Sequence, residues 1–360
     1  MARFLLFLAF LSLAAVACDT SSKDGTVYIA TVPPSPTPTF LNPDQLPPLT
    51  LGEIFPPRDS SLLALDPSRL RIIIATGDVI PARVVDATIR AQGDDFLYPV
   101  ALTAELLSGA DLTVMNLEAP LIDGCPPHGS GFTFCGRPAF LQALLAAGVD
   151  VATLENNHIG NYGSQGVAET IARLESGGIA WADRSTLAVR EVRGLSFGFL
   201  AFNGVGNTID REAMIAQITA ARAQVSVLAV AFHWGAEYVS IPEPAPGVAN
   251  DDPIEIAHLA VEAGADLVIG NHPHWVQAVE VYRGRLITYA HGNFIFDQMW
   301  SYETRVGVIG RYTFYDNVLL RAEFIPTLIE NYAQPRLLEG MEAQAVLDGM
   351  GAASEILARG

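Results

Sequence analysis

Between residues 71 and 330, short apolar runs alternate with stretches of helical spacing. "RIIIATGD" (71–78) has strand length and ends in Gly-Asp, and "ARVVDATIRAQG" (82–93) has helical spacing and stops at glycine. A near-repeat then occurs three times, as "LLSGADLTVMNLE" (106–118), "LLAAGVDVATLENNH" (144–158) and "VEAGADLVIGNHPH" (261–274). Each reads as a helix end, a Gly-x-Asp turn, an apolar strand and a polar terminus. "FGFLAFNG" (197–204) and "VSVLAVAFHWG" (225–235) add two strands, the second ending in His. Near-continuous apolar strands alternating with helices predict an α/β fold with sheets covered on their faces.

The polar residues gather at the ends of these strands. Asp78, Asn116, Glu118, Asn157, His158, His233, His272 and His274 all follow apolar runs. Ligands of open α/β sheets bind beyond the carboxyl ends of strands, so five strands delivering Asp, Glu, Asn or His predict one shared rim. Singly, each residue has an ordinary reading as a cap, a solvated carboxylate, a turn former or a packed histidine. Together they are a mixed oxygen and nitrogen set that suits Zn, Mn or Fe better than Mg or Ca. In "VIGNHPHWVQ" (268–277), Gly270 is expected to let the chain turn at the sheet edge, and Pro273 to hold His272 extended.

The two ends change the picture. "MARFLLFLAFLSLAAVACDT" places one Arg before an apolar stretch and small residues before Cys18, the order of a secretory signal over residues 1–18. An uncleaved anchor is the alternative, although about 20 apolar residues are needed to span. Ala15-Val16-Ala17-Cys18 resembles a lipoprotein box that would acylate Cys18 and leave the protein on the extracytoplasmic face of the membrane. Its first position departs from the usual Leu. Residues 19–68 hold all ten prolines found between Asp19 and Leu70 and read as an extended tether. The folded domain is expected over 69–330, with 331–360 as an extension. For an exported chain, Cys125 and Cys135 read as a disulfide closing "CPPHGSGFTFC"; a zinc pair with His128 is the alternative. The net charge of −18 argues against nucleic acid as a partner.

"GDVIPAR", "NLEAPL", "NNHIGNYG", "HWGAEY", "GNHPHWVQ" and "YAHGNFIFD" occur in an order that resembles the bacterial capsule-synthesis CapA family, which includes poly-γ-glutamate synthesis proteins. That family resembles a branch of the calcineurin-like metallophosphatase superfamily. The resemblance runs from about Arg71 to Pro326. It implies a four-layer α/β/β/α sandwich with the site between two sheets and two divalent cations, Mn, Zn or Fe. One cation would take Asp78 and His274, the other Asn157, His233 and His272, with Glu118 bridging. His158 would be the general acid, and Arg83 would meet an anionic group of the substrate. Three positions depart from the pattern: Ile80 stands where a His is usual, Asn161 where Asp is frequent, and His291 where an apolar residue is usual. His291 is expected to pack. The implied function is capsule or poly-γ-glutamate production at the cell envelope, with metal-assisted hydrolysis of an ester or related bond. The implied partners are an anionic polymer or phosphoester-like substrate and a membrane synthase complex. A non-catalytic scaffold or polymer-binding subunit is the first alternative, and a secreted nucleotidase-like phosphatase the second.

Overall fold

The computed structural model describes residues 40–61 and 63–359. The expected signal, lipoprotein box and Cys18 lie outside the described residues. So does the tether up to residue 39.

Fourteen strands occur among the described residues: β1 (Leu70–Val79), β2 (Leu112–Leu117), β3 (Val151–Thr153), β4 (Ala180–Ala182), β5 (Ala188–Val192), β6 (Leu195–Asn203), β7 (Val227–His233), β8 (Leu267–Asn271), β9 (Val279–Tyr282), β10 (Arg285–Thr288), β11 (Asn293–Ile295), β12 (Val306–Tyr315), β13 (Val318–Glu330) and β14 (Gln334–Leu337). They form two sheets. The first runs β14-β13-β12-β1-β2-β3-β4, with β11 pairing to β1; the second runs β5-β6-β7-β8-β10-β9. The chemistry-bearing strands β1, β2 and β3 are parallel in the first sheet, and β7 and β8 are parallel in the second.

Helices α1 (Val84–Ala91), α2 (Ala104–Ser108), α3 (Leu141–Ala146) and α4 (Gly163–Ser176) cover the first sheet, and α5 (Arg211–Arg222) and α6 (Pro253–Ala263) cover the second. The period-two alternation of strands explains the layering. In β1, Ile73 and Ala75 point between the sheets, whereas Ile74 packs under helix residues Val85, Ile89 and Leu107. In β7, Val227 and Ala229 join that same inner layer, whereas Leu228 and Val230 meet Met214, Ile218 and Ile256. The result is helices, sheet, sheet, helices, the four-layer α/β/β/α order expected above.

Two expected boundaries are corrected. Residues 40–61 and 63–68 do not behave as a tether. Leu49 and Ile54 are buried, and Arg58 donates to Pro47 O at 2.9 Å and Pro48 O at 2.7 Å while pairing with Glu53. Prolines that cannot donate backbone hydrogen bonds still offer carbonyls, and Arg58 gathers two of them. Residues 331–360 are equally part of the fold. β14 extends the first sheet, and α7 (Gly340–Leu357) packs against β13 of the first sheet and β9 of the second, where Ser354 Oγ accepts the buried Val279 N–H at 2.8 Å. No described helix is long and apolar enough to cross a membrane.

Candidate metal centre

The carboxyl ends of β1, β2 and β3 meet those of β7 and β8, so the predicted rim forms at the junction of the two sheets. Asp78, Glu118, His233, His272 and His274 are all buried. Asp78 occupies the end of β1 in register with Asn116 on one side and Asn293 on the other. Gly77, just before it, is required by close approach, because a Cβ there would overlap the carbonyl of Gly292. Asn116 Nδ2 donates to Asp78 Oδ1 at 2.8 Å. The other carboxylate oxygen, Oδ2, lies 3.1 Å from His274 Nδ1, and Asn293 Oδ1 lies 2.9 Å from the same nitrogen. Two acceptors on Nδ1 hold a proton there and leave Nε2 as the nitrogen that would face a cation. Carboxylate–histidine pairing of this kind fixes the tautomer of a metal-binding imidazole.

Other donor atoms in the cluster have no hydrogen-bond partner. They are Glu118 Oε1, His233 Nδ1 and both ring nitrogens of His272, each buried. Unsatisfied buried polar atoms cost about 1–3 kcal/mol each, so four in one place call for a ligand. The donor atoms of Asp78, Glu118 and His233 lie within 4.8 Å of one another, as do those of Glu118, His272 and His274. Glu118 is common to both groups. The rings of His233 and His272 are also neighbours, with centroids 4.8 Å apart. These buried groups are consistent with a metal site. The grouping by distance puts Asp78 with His233 and His272 with His274, which differs from the division that the resemblance implies.

Burial and mutual charge tune the set. Burial, reinforced by the Asp78 charge, pushes Glu118 well above the carboxylate range. Burial also opposes ionisation of Asp78, but the hydrogen bond and charge of His274 outweigh it and hold Asp78 below its ordinary value. For His274 burial acts downward, yet the Asp78 hydrogen bond and the Glu118 charge lift it to about 9, so at neutral pH a cation would have to displace the second proton from Nε2. Burial lowers His233 to about 3 and takes His272 well below its ordinary value, keeping both neutral and able to bind a cation.

The "NNH" turn divides the labour between its two amides. Asn156, which sequence reasoning passed over, accepts from the His158 and Ile159 N–H groups and donates to Asn116 Oδ1 and Leu117 O, which fixes the turn. Asn157 faces the centre, with Oδ1 2.9 Å from His233 Nε2. His158 stands beside it. Asn161 Oδ1 accepts the Phe134 N–H at 2.6 Å and lies 3.1 Å from His158 Nδ1, so that nitrogen carries the proton and Nε2 the lone pair. Burial lowers His158 to about 4, and the neutral ring is the form present at pH 7. The Phe134 ring packs 4.3 Å from it. Phe134 is held in turn by the neighbouring disulfide, since Cys125 and Cys135 are joined. Their sulfurs are bonded to each other, so the alternative zinc pair with His128 does not form.

Three placements depart from expectation. Arg83 does not present a free guanidinium. It pairs with Asp297, donates to Gly131 O at 3.1 Å and lies over the Phe134 and Phe296 rings. A carboxylate and a carbonyl already engage its fork, which turns it from an anion receptor into a buried brace. Pro273 does not hold His272 extended. His272 has φ 95° and His274 φ 57°, and the His272 N–H points at Asp78 Oδ2, 3.3 Å away. Such backbone costs on the order of 1–3 kcal/mol and persists where surrounding contacts enforce it. Gly270 serves close approach instead of turning, because a Cβ there would overlap the Tyr289 carbonyl and the Trp234 indole.

Ile80 is fully buried with Ala82, Ala119, Phe134 and Phe296, closing with hydrocarbon the side where the resemblance would place an imidazole. His291 packs, held by Tyr312 OH at 2.8 Å and Thr76 O at 3.3 Å. Sequence reasoning missed Glu237, Asn293 and Asp297 as residues of the site. All three sit inside quoted motifs, "HWGAEY" and "YAHGNFIFD", and their signal was a polar residue a few positions beyond a strand.

Comparison with known proteins places the chain in a family. Residues 72–298 match the family described as bacterial capsule synthesis protein PGA_cap. The chain is 27% identical over 278 residues to the PGA biosynthesis protein CapA of Bacillus subtilis (strain 168), covering 69% of each chain. It is 24% identical over 282 residues to the capsule biosynthesis protein CapA of Bacillus anthracis, covering 71% of this chain and 66% of that one. The match thus spans about two thirds of each relative. A hypothetical protein of known structure from Thermus thermophilus aligns with TM-score 0.47 and 15% identity, over 71% of this chain and 98% of that one. Matched over more than half its length, the chain belongs to the bacterial capsule synthesis protein PGA_cap family.

Proposed function

We propose that this protein is an exported, lipid-anchored CapA-type component of poly-γ-glutamate capsule production at the extracytoplasmic membrane face, and that its buried centre hydrolyses an ester or related bond. The observation that carries the chemistry is the group of partnerless buried donors, Glu118 Oε1, His233 Nδ1 and both nitrogens of His272. Asp78, Glu118, Asn157, His233, His272 and His274 would hold two cations, Mn, Zn or Fe by donor type. Such cations supply Lewis acidity toward an ester oxygen and make water a competent nucleophile at neutral pH.

The chain's own residues would do the rest. Asp78 fixes the direction of His274 through Nδ1. Phe134 and Asn161 hold His158 with the lone pair on Nε2, so His158 would first take a proton and then return it to the leaving oxygen. Ile80, Phe134 and Phe296 keep water out of one wall.

The second reading is a non-catalytic subunit that binds polymer or organises a synthase. The pairing of Arg83 with Asp297 takes from a hydrolase the free cation expected to meet an anionic substrate group, and because it weighs equally against polymer binding it favours the organising role. Generic phosphoesters and γ-glutamyl oligomers, offered to protein loaded with Mn or Zn, separate the readings. The hydrolase turns over one of them, stops on chelation and recovers on readdition. A loaded protein with no turnover, whose His158→Ala variant still abolishes polymer production in cells, leaves the scaffold.

A further inference from the structure

The hydrocarbon around Ile80 leaves the centre one imidazole short on the Asp78 side. On the opposite, solvent side stands a carboxylate with no assigned role. Glu237 Oε1 lies 3.9 Å from His272 Nε2 and 3.9 Å from His274 Nε2. Neither separation is a hydrogen bond. Two ligand atoms on one cation, each bonded at about 2.0–2.2 Å, stand roughly 3–4 Å apart, so the spacing is that of donors around a shared ion. The nitrogens it faces are the right ones. His274 has its Nδ1 engaged by Asp78 and Asn293, which turns Nε2 toward Glu237. His272 has no hydrogen-bond partner on either ring nitrogen.

The backbone fixes this position. Tyr238, next in the chain, has φ 63° and donates its N–H to Pro273 O at 2.9 Å, which ties the Glu237 turn directly to the His-Pro-His turn. Tyr238 OH accepts from Gln298 at 3.0 Å, and Gln298 Oε1 accepts from Asn293 at 3.3 Å, the amide that also faces His274. The loop is therefore braced against the same residues that orient the histidines.

We infer that Glu237 is a metal ligand of this centre, adding a carboxylate from the solvent side to the donors of His272 and His274. The inference rests on the proposed reading of the cluster as a metal centre. Its side chain is 39% exposed, against 5% or less for Asp78, Glu118, His233, His272 and His274. Glu237 is then the ligand most easily exchanged, and it would give way when an oxygen of the substrate enters.

The test is cation binding by the full chain, measured by titration calorimetry with Mn and Zn and by the absorption spectrum of the Co-loaded protein. Wild type is compared with Glu237→Gln, Glu237→Ala and Glu237→Asp. The expected result is two equivalents for wild type and, for the Gln and Ala variants, one site weakened on the order of 10- to 100-fold with an altered Co spectrum. Glu237→Asp should recover part of the loss. Unchanged affinities and spectra in Gln and Ala variants that bind two cations would overturn the Glu237 assignment alone. A wild type that binds no cation would overturn the metal centre and this assignment together.

Discussion

His274 Nδ1 lies 3.1 Å from Asp78 Oδ2, a contact that joins the end of β1 to the turn after β8 and so clamps the two sheets together at the site. The pair sets which histidine nitrogen is left for a cation. Asp78→Asn keeps the shape but removes the charge that makes Nδ1 the protonated atom. The variant should fold and lose cation affinity on the order of 10- to 100-fold. Nitrogen-detected NMR of the histidine rings should show His274 losing its second proton at a lower pH than in wild type, because the Asp78 charge helps to hold it. A His274 signal unchanged from wild type counts against the clamp.

Phe134 ties the disulfide loop to His158. Phe134→Ala removes a fully buried ring from the small cluster with Ile80 and Phe296, at a cost of about 3–5 kcal/mol by urea unfolding. Phe134→Leu should recover most of that stability without restoring the ring that packs on His158. If His158 acts in hydrolysis, the Leu variant should show reduced kcat with cation content intact. Equal kcat in Leu variant and wild type would make Phe134 packing alone.

The segment of residues 40–58 should be pH-sensitive through Glu53. The Arg58 side chain and the Thr50 hydroxyl hold the Glu53 carboxyl down to about 2, against an ordinary 4.5. A lowered folded-state pKa means the contribution is complete above about 4.5 and disappears as pH falls toward 2. The Glu53 side chain is 35% exposed, so solvent screening limits the contribution to about 1 kcal/mol. Unfolding free energies of wild type and Glu53→Gln should differ at pH 6, draw together as pH falls and converge only once pH is below about 2; a difference independent of pH would contradict the assignment.

Much of this site was legible in the sequence because its residues end strands. A strand-end Asp, Asn or His has a position fixed by the sheet, and five such strands meeting at one rim needed only the α/β pattern. What escaped notice depended on the third dimension. Arg83 looks like an anion receptor until Asp297, 214 residues away, engages its fork. Pro273 argues for an extended His272, yet the Asp78 carboxylate draws the His272 N–H inward and forces a positive φ. The Pro-rich segment of residues 40–68 reads as a tether because prolines end ladders, and nothing local shows that Arg58 will collect their carbonyls. Glu237 was hidden because it lies four residues beyond its strand, in a loop whose position is set by Pro273.

Gly270 carries a steeper prediction. Its missing Cβ makes room for the Tyr289 carbonyl and the Trp234 indole. Neither neighbour is a flexible chain end, since Trp234 Nε1 donates to Tyr289 O at 2.9 Å. Gly270→Ala should destabilise the chain by about 3 kcal/mol or more, at the upper end for overpacking. A urea midpoint within error of wild type would show that β8 can shift to admit a methyl group.

The central claim is that Glu118 is shared by two cations. Glu118→Gln is the cleanest probe, because burial and Asp78 already push this carboxyl toward its neutral form and an isosteric amide fits the same space. The measurement is cation content per chain after loading with Mn or Zn and removal of excess. Two equivalents in wild type and less than one in Glu118→Gln is the predicted result. Two equivalents in both, or none in wild type, would contradict it.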